Sequence, residues 1–392
     1  MSVITSLRAR NVFNSHVALT TEFVLELCGQ STGSAASPQG ETISIYEDKH
    51  TNTIPEYIIA DIVGNHLLHT EQSQETFDQF LRTRFSTFGR NNCYALSLAF
   101  HAASLAHDIY SAPPTVCNSA EKSMPKICFN ILNGGRYAYT NPVLSDFPEY
   151  LLVANANDIY SGMTMHNDIQ ALVKESLVGK SKQLIGTNTV NVFTSADNRS
   201  CIEFLLGILE RLGFSNDFVL MIDASAGDLW REGKYCLSIT DKSEYSSEGF
   251  YEYWRSMINQ YQIGFLEDPF CERDHDAWFR LTTDQTRTSV IGDNFYSSSA
   301  DRIREGASSR YSHGVIIKPN QAGTVSDTLA AITAAQEGGL TPITSHRSIS
   351  TESTYVAEVT CDMDVPYIKI GPLTSDYSSV MRLNALIRRT QD

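Results

Sequence analysis

Six short apolar runs in the back half of the chain are each followed, at once or nearly so, by a charged residue. Phe218-Val-Leu-Met-Ile222 precedes Asp223, Ile263-Gly-Phe-Leu266 precedes Glu267, and Ser289-Val-Ile291 precedes Asp293. Gly314-Val-Ile-Ile317 precedes Lys318, Thr341-Pro-Ile-Thr344 precedes His346-Arg347, and Tyr367-Ile368 precedes Lys369. Three carboxylates brought together suit a hard, oxygen-seeking cation, and Mg²⁺ accepts a few carboxylates together with substrate oxygens and water. A lysine beside such charges has its pKa lowered by neighbouring cations and becomes accessible as a neutral base. The metal in turn neutralises the charge that builds on a carboxylate substrate when its α-proton leaves. The plainer alternatives are turn and helix-cap roles for single acidic residues, or a network of salt bridges.

These groups meet only if the runs are strands of one closed sheet. From about residue 125 short apolar strands alternate with amphipathic helical segments at about 199–212, 248–260, 325–337 and 351–362, the pattern of βα units on a parallel sheet. In a TIM-type barrel the C-terminal strand ends converge on one mouth, which would gather the six charged positions. The front of the chain reads differently. An apolar run at Val3-Ile4 and an alternating strand at Phe23-Val-Leu-Glu-Leu27 precede helical patterns at about 55–68, 73–84 and 92–109. The fold class is therefore α/β, a (β/α)8-type barrel over residues 121–392 preceded by an α+β capping domain over residues 1–120. Ser111-Ala-Pro-Pro-Thr115, whose prolines stop a helix, is the expected linker.

Composition narrows the partners. With 42% hydrophobic residues the chain has ample material for a buried core. Its 30 basic and 45 acidic residues give a formal charge of −15, which repels nucleic acid and anionic lipid, so a small anionic substrate needs a local cationic pocket. No apolar run approaches a membrane span and the first residues lack a signal-type core, so a cytoplasmic protein is expected, with no membrane partner. The eight cysteines show neither paired nor zinc-like spacing and read as reduced packing residues.

At these same residues the chain resembles the enolase family. The resemblance is carried by Phe129-Asn-Ile-Leu-Asn-Gly-Gly135, Ile222-Asp-Ala-Ser-Ala226, Phe265-Leu-Glu-Asp-Pro-Phe270, Ile291-Gly-Asp-Asn294, Ile317-Lys-Pro-Asn-Gln-Ala-Gly-Thr324, Ser345-His-Arg-Ser348 and Ile368-Lys-Ile-Gly371, in matching order and approximate spacing. It implies an N-terminal capping domain on a barrel with an antiparallel element among its early strands, usually assembled as a homodimer. It also implies that Asp223, Glu267 and Asp293 bind a catalytic Mg²⁺ and that Lys318 is the general base. Lys369 would contact the substrate carboxylate, while His346, Arg347 and Ser348 would hold a phosphate-like group.

The resemblance breaks on one side. Where the family has a glutamate that assists departure of the β-hydroxyl, the alignment places Val192, which can move no proton. The second family glutamate is matched by Asp146 in Ser145-Asp-Phe147, one methylene shorter and still capable of acting. A family histidine becomes Tyr137, a substrate-side position, and the closing loop becomes Ser37-Pro-Gln-Gly-Glu-Thr42, with Gly40 in place of a serine that helps bind a second Mg²⁺. Asn14-Ser-His-Val17 and Ser375-Asp-Tyr-Ser378 replace segments that serve the usual dimer contacts. The expectation is a lyase of this type acting on a 2-phosphoglycerate-like phosphorylated or phosphonylated hydroxy acid in specialised metabolism. The alternatives are a non-catalytic paralogue that binds, and a slow phosphopyruvate hydratase.

Overall fold

In the computed structural model, residues 2–28, 31–40, 44–47, 54–111, 124–135, 139–156 and 158–391 are described. The expected linker beyond Ser111, the boundary at 120/121, Tyr137 and Cys117 lie outside them.

The chain begins with four strands, β1 (Ser2–Phe13), β2 (Leu19–Leu27), β3 (Thr32–Ala36) and β4 (Glu71–Gln72), which form an antiparallel sheet in the order β3-β2-β1-β4. The β1–β2 turn is made by Asn14, whose carboxamide oxygen accepts from His16 and Ala18 backbone N–H groups at 3.0 and 3.1 Å. Helix Pro55–Gly64 lies between β3 and β4, and helices Gln74–Arg82 and Arg90–Ser111 follow β4. Proline at the first turn starts one, and a reciprocal Ser73–Thr76 capping box starts the next. The helical pattern that extends to 68 in sequence stops at Gly64, because His66 and His69 turn into the left-handed region, with φ of 57° and 60°.

The rest of the chain closes an eight-stranded barrel in the order β13-β14-β15-β16-β17-β5-β6-β9, from β5 (Lys126–Asn133), β6 (Glu149–Ala154), β9 (Phe218–Asp223), β13 (Phe265–Glu267), β14 (Ser289–Gly292), β15 (Gly314–Ile317), β16 (Thr341–Ser345) and β17 (Tyr367–Lys369). Between β6 and β9 lies the hairpin β7 (Ser181–Ile185) and β8 (Asn188–Val192). After β9 comes a small antiparallel sheet of β10 (Trp230–Arg231), β11 (Lys234–Cys236) and β12 (Glu244–Tyr245). Strand β6 runs antiparallel to both its neighbours, and the remaining barrel pairs are parallel.

Helices Arg199–Leu212, Ser247–Tyr261 and Val325–Glu337 match the sequence periodicity closely. The last expected helix begins only at Tyr355. The strand expected from Ile263 begins at Phe265, although the Gly264 backbone already bonds Leu220 of β9 and Ser289 of β14.

The inside of the barrel is one apolar plug, made by Cys128, Leu151, Val153, Met221, Phe265, Ile291, Ile316 and Ile343 with Tyr367 packed on it. Strand side chains alternate faces with a period of two, so a residue two places from an inward-facing one also faces inward. The plug therefore determines what the mouth presents. Counting two places on from Met221, Phe265, Ile291, Ile316, Ile343 and Tyr367 gives Asp223, Glu267, Asp293, Lys318, Ser345 and Lys369.

Candidate active site

Above the plug lies a cavity of about 330 Å³. Its walls include Asp223, Asp293, Lys318, His346, Arg347, Ser348 and Lys369, so the structure brings these sequence-derived positions together. Glu267 sits just beneath, fully buried, and reaches the cavity through Lys369. Ser15 and His16 from the β1–β2 turn, Tyr139, Ser375 and Asp376 complete the rim. The turn is tied to the barrel where the Ser15 and Ser350 backbone N–H groups donate to the Ser350 carbonyl and the Ser15 hydroxyl, at 2.9 and 3.0 Å.

Two ammonium groups stand among four carboxylates. Lys369 Nζ lies 2.7 Å from Glu149, 2.9 Å from Glu267 and 3.9 Å from Asp223. Lys318 Nζ pairs with Asp293 Oδ2. Burial works against the Lys369 charge, but Glu149, Glu267 and Asp223 more than offset it and hold the ammonium well above the ordinary lysine range. Lys369 is thus a locked cation, unsuited to accepting a proton.

Burial also drives Asp223 up to about 8, with Lys369 opposing and Glu149 adding to the rise. Glu267 is raised by burial and by Asp223. Behind them Asp268 accepts from the backbone N–H groups of Asp293 and Asn294 at 2.8 and 2.7 Å, which fixes the β14 loop. Asp293 Oδ1 is buried with no hydrogen-bond partner among the described residues. No ready-made cluster of three acidic, histidine or cysteine groups is drawn together among those residues, because the lysines lie between the carboxylates.

His346 lies 2.6 Å through Nδ1 from the Arg347 carbonyl, which can only accept, so the ring hydrogen is assigned to Nδ1. Burial, with Arg382 adding, pushes its pKa well below the usual histidine range, so the imidazole is neutral. Ser348 is exposed at the rim, while Arg347 is buried and paired with Glu47 at 3.1 Å.

Asp146, expected to act at the site, does not line this cavity. Its carboxylate accepts from the Ile239 and Thr240 backbone N–H groups at 2.7 and 3.2 Å, from the Thr240 hydroxyl and from Asn198, and it lines a neighbouring cavity. Glu149 faces the main cavity instead, held by the Asn130 amide at 2.8 Å. Strand β6 runs backwards, so its start and not its end lies at the mouth, and Glu149 is two places before the inward-facing Leu151. Looking for a charge before an apolar run, on the one antiparallel strand, would have found it. Val192 packs against Leu144 and Val190 and does not line the cavity.

A closed eight-stranded barrel whose charged groups converge on one mouth is a TIM-type barrel with its polar cavity at the strand ends. The family described as "Enolase, C-terminal TIM barrel domain" matches residues 121–392, so the chain belongs to the enolase family. Among curated proteins it is similar to "Enolase" of Ehrlichia canis (strain Jake) and "Enolase" of Ehrlichia ruminantium (strain Welgevonden). Each is 27% identical over 396 residues, covering 95% of this chain and 92% of the relative.

Proposed function

We propose that the protein is a Mg²⁺-dependent lyase that removes the α-proton of a small 2-phosphoglycerate-like hydroxy acid, phosphorylated or phosphonylated, as a divergent, specialised member of its family. The observation that carries this reading is the run of inward-facing Asp223, Glu267, Asp293, Lys318 and Lys369 at one barrel mouth. Four carboxyl groups face two lysines there, and Asp293 Oδ1 lacks a partner among the described residues. Asp223, Glu267 and Asp293, all-oxygen donors on adjacent strands, fit Mg²⁺.

When bound, the ion supplies charge neutralisation for the substrate carboxylate as its α-proton leaves. Lys318 Nζ, as the neutral amine after it has given up its own proton, takes that proton. Lys369 remains cationic and orients the carboxylate. His346, Arg347 and Ser348 line the side that receives the remote anion. The apolar plug closes the floor of the cavity against water from below. Asp146 holds the Ile239-Thr240 segment, and Glu149 is the carboxylate near the reacting centre. The protein acts on this reading as a cytoplasmic homodimer, and among the described residues no helix is long and apolar enough to cross a membrane.

The test is Mg²⁺-dependent exchange of the substrate α-proton for deuterium, across a panel of phosphorylated and phosphonylated hydroxy acids. Exchange that persists unchanged in Lys318→Ala would remove the base assignment. Absence of exchange and turnover with every acid would favour the non-catalytic binding role instead.

A further inference from the structure

The side of the cavity assigned to the remote anion holds a carboxylate of its own. Arg347 Nη2 lies 3.1 Å from Glu47 Oε2 and Nη1 lies 3.4 Å from Glu47 Oε1, with only 5% and 11% of the two side chains exposed. The guanidinium is seated against Gly40, where a Cβ would fall 1.5 Å from Nη2, so the loop must carry glycine here for Arg347 to lie as it does. The absence of a side chain at Gly40 is thus the space the guanidinium uses.

Glu47 is no loose surface partner. The Gln321 side-chain NH2 donates to Glu47 Oε1 at 2.9 Å, the Gln321 side-chain oxygen Oε1 accepts from the Ser298 hydroxyl at 2.9 Å, and that hydroxyl accepts from the Lys318 backbone N–H at 2.9 Å. The backbone N–H of Ser44 adds a fourth contact at 3.3 Å. A chain of hydrogen bonds therefore runs from the proposed base to the Arg347 pair and keeps the carboxylate in the built site. The charge of Arg347 is already matched within the protein. His346 beside it has its ring hydrogen directed at a carbonyl and offers no second positive charge.

Resting on the proposed reading of this cavity, we infer that Glu47 is a specificity-determining residue: it offsets the charge of Arg347 at the remote-anion side and selects, among phosphorylated or phosphonylated acids, those whose tail carries a single charge, such as a phosphonate monoester, over those with a doubly charged phosphoryl or phosphonyl group. A dianion placed against a neutralised guanidinium would meet Glu47 as a like charge in a poorly solvated pocket, whereas a monoanion meets less repulsion and can still accept from the rim donors.

Two near-isosteric acids differing by one charge test this: 2-hydroxy-3-sulfopropanoate and 2-hydroxy-3-phosphonopropanoate, the latter at a pH that ionises it fully. Their dissociation constants are measured calorimetrically with the Mg²⁺-loaded wild type and with Glu47→Gln, which keeps the size and one acceptor oxygen and removes the charge. The wild type is expected to bind the sulfonate more tightly. Glu47→Gln is expected to shift the preference at least about tenfold towards the phosphonate. A merely structural role for Glu47 would weaken both acids together and leave their ratio fixed, and an unmoved ratio overturns the inference while leaving the proposed function standing. Binding of neither acid to either protein, with folding verified by melting, removes both readings.

Discussion

The two halves of the cavity wall are built by different rules. On the side formed by β9 and β13–β17, the three acids and two lysines stand two residues beyond an inward-facing residue of the plug on a parallel strand, so the plug and the mouth follow one alternation. On the other side the wall comes from the antiparallel β6, the β1–β2 turn and loops that cross from the first sheet. There a short displacement in sequence exchanges one carboxylate for another. Asp146 serves a loop, and Glu149, three residues later, serves the cavity. The comparison teaches that residues on the parallel side are held by the barrel itself, while those on the other side are held by contacts that can be re-dealt without disturbing the strands.

The largest expected effect lies on the parallel side. Replacing the proposed base in Lys318→Ala is expected to lower α-proton exchange by about 10²–10⁴-fold, read by NMR in deuterated buffer with Mg²⁺. A smaller loss would move the base elsewhere. Glu267→Gln, also on this side, is expected to abolish the stabilisation that Mg²⁺ gives the wild type, about 2.7 kcal/mol at a hundred times the dissociation constant, read as a melting shift. Retained metal stabilisation would detach Glu267 from the cation.

The opposite wall gives the sharper contrast. Glu149→Gln is expected to slow exchange roughly 10–100-fold by releasing Lys369 from one of its carboxylates. Asp146→Ala should leave exchange close to wild type while lowering the unfolding free energy by about 2–3 kcal/mol, since backbone donors at Ile239 and Thr240 lose their acceptor. Reversal of these two outcomes would restore Asp146 as the active carboxylate and break the comparison.

The smallest effect is a pH dependence behind the same wall. His166, buried and stacked on Phe129 of β5, is pushed down to about 4 by burial. A depressed histidine is protonated in the unfolded chain first, so its contribution to stability is complete above about pH 6.5 and is lost as pH falls towards 4. At pH 5 the loss is about 2 kcal/mol. Urea unfolding at pH 7 and 5 should show His166→Gln losing less stability than wild type over that interval.

The barrel and its parallel-side residues were legible because alternation is local: Phe218 to Asp223 or Tyr367 to Lys369 displays it within a few residues. Strand direction is not local. Nothing between Pro148 and Ala154 states that β6 runs backwards, and only the pairing of Glu149 with Asp223 reveals it. The partnership of Arg347 with Glu47 is still less visible, since the two are 300 positions apart and meet over a glycine whose sequence reads simply as a missing serine. Asn14, in a segment that departs from the family pattern, makes the β1–β2 turn through its carboxamide oxygen, which its position in the sequence alone does not display.

Lys369, wedged among Glu149, Glu267 and Asp223, has a further consequence for handling the protein. It is a resident counter-ion, placed by the chain itself, so the acids need no divalent partner to remain together while folding proceeds. On the proposed metal-binding reading, metal loading is then separable from chain assembly. Chelation is expected to leave the protein folded and able to accept other divalent ions in turn, which a melting curve with and without chelator checks.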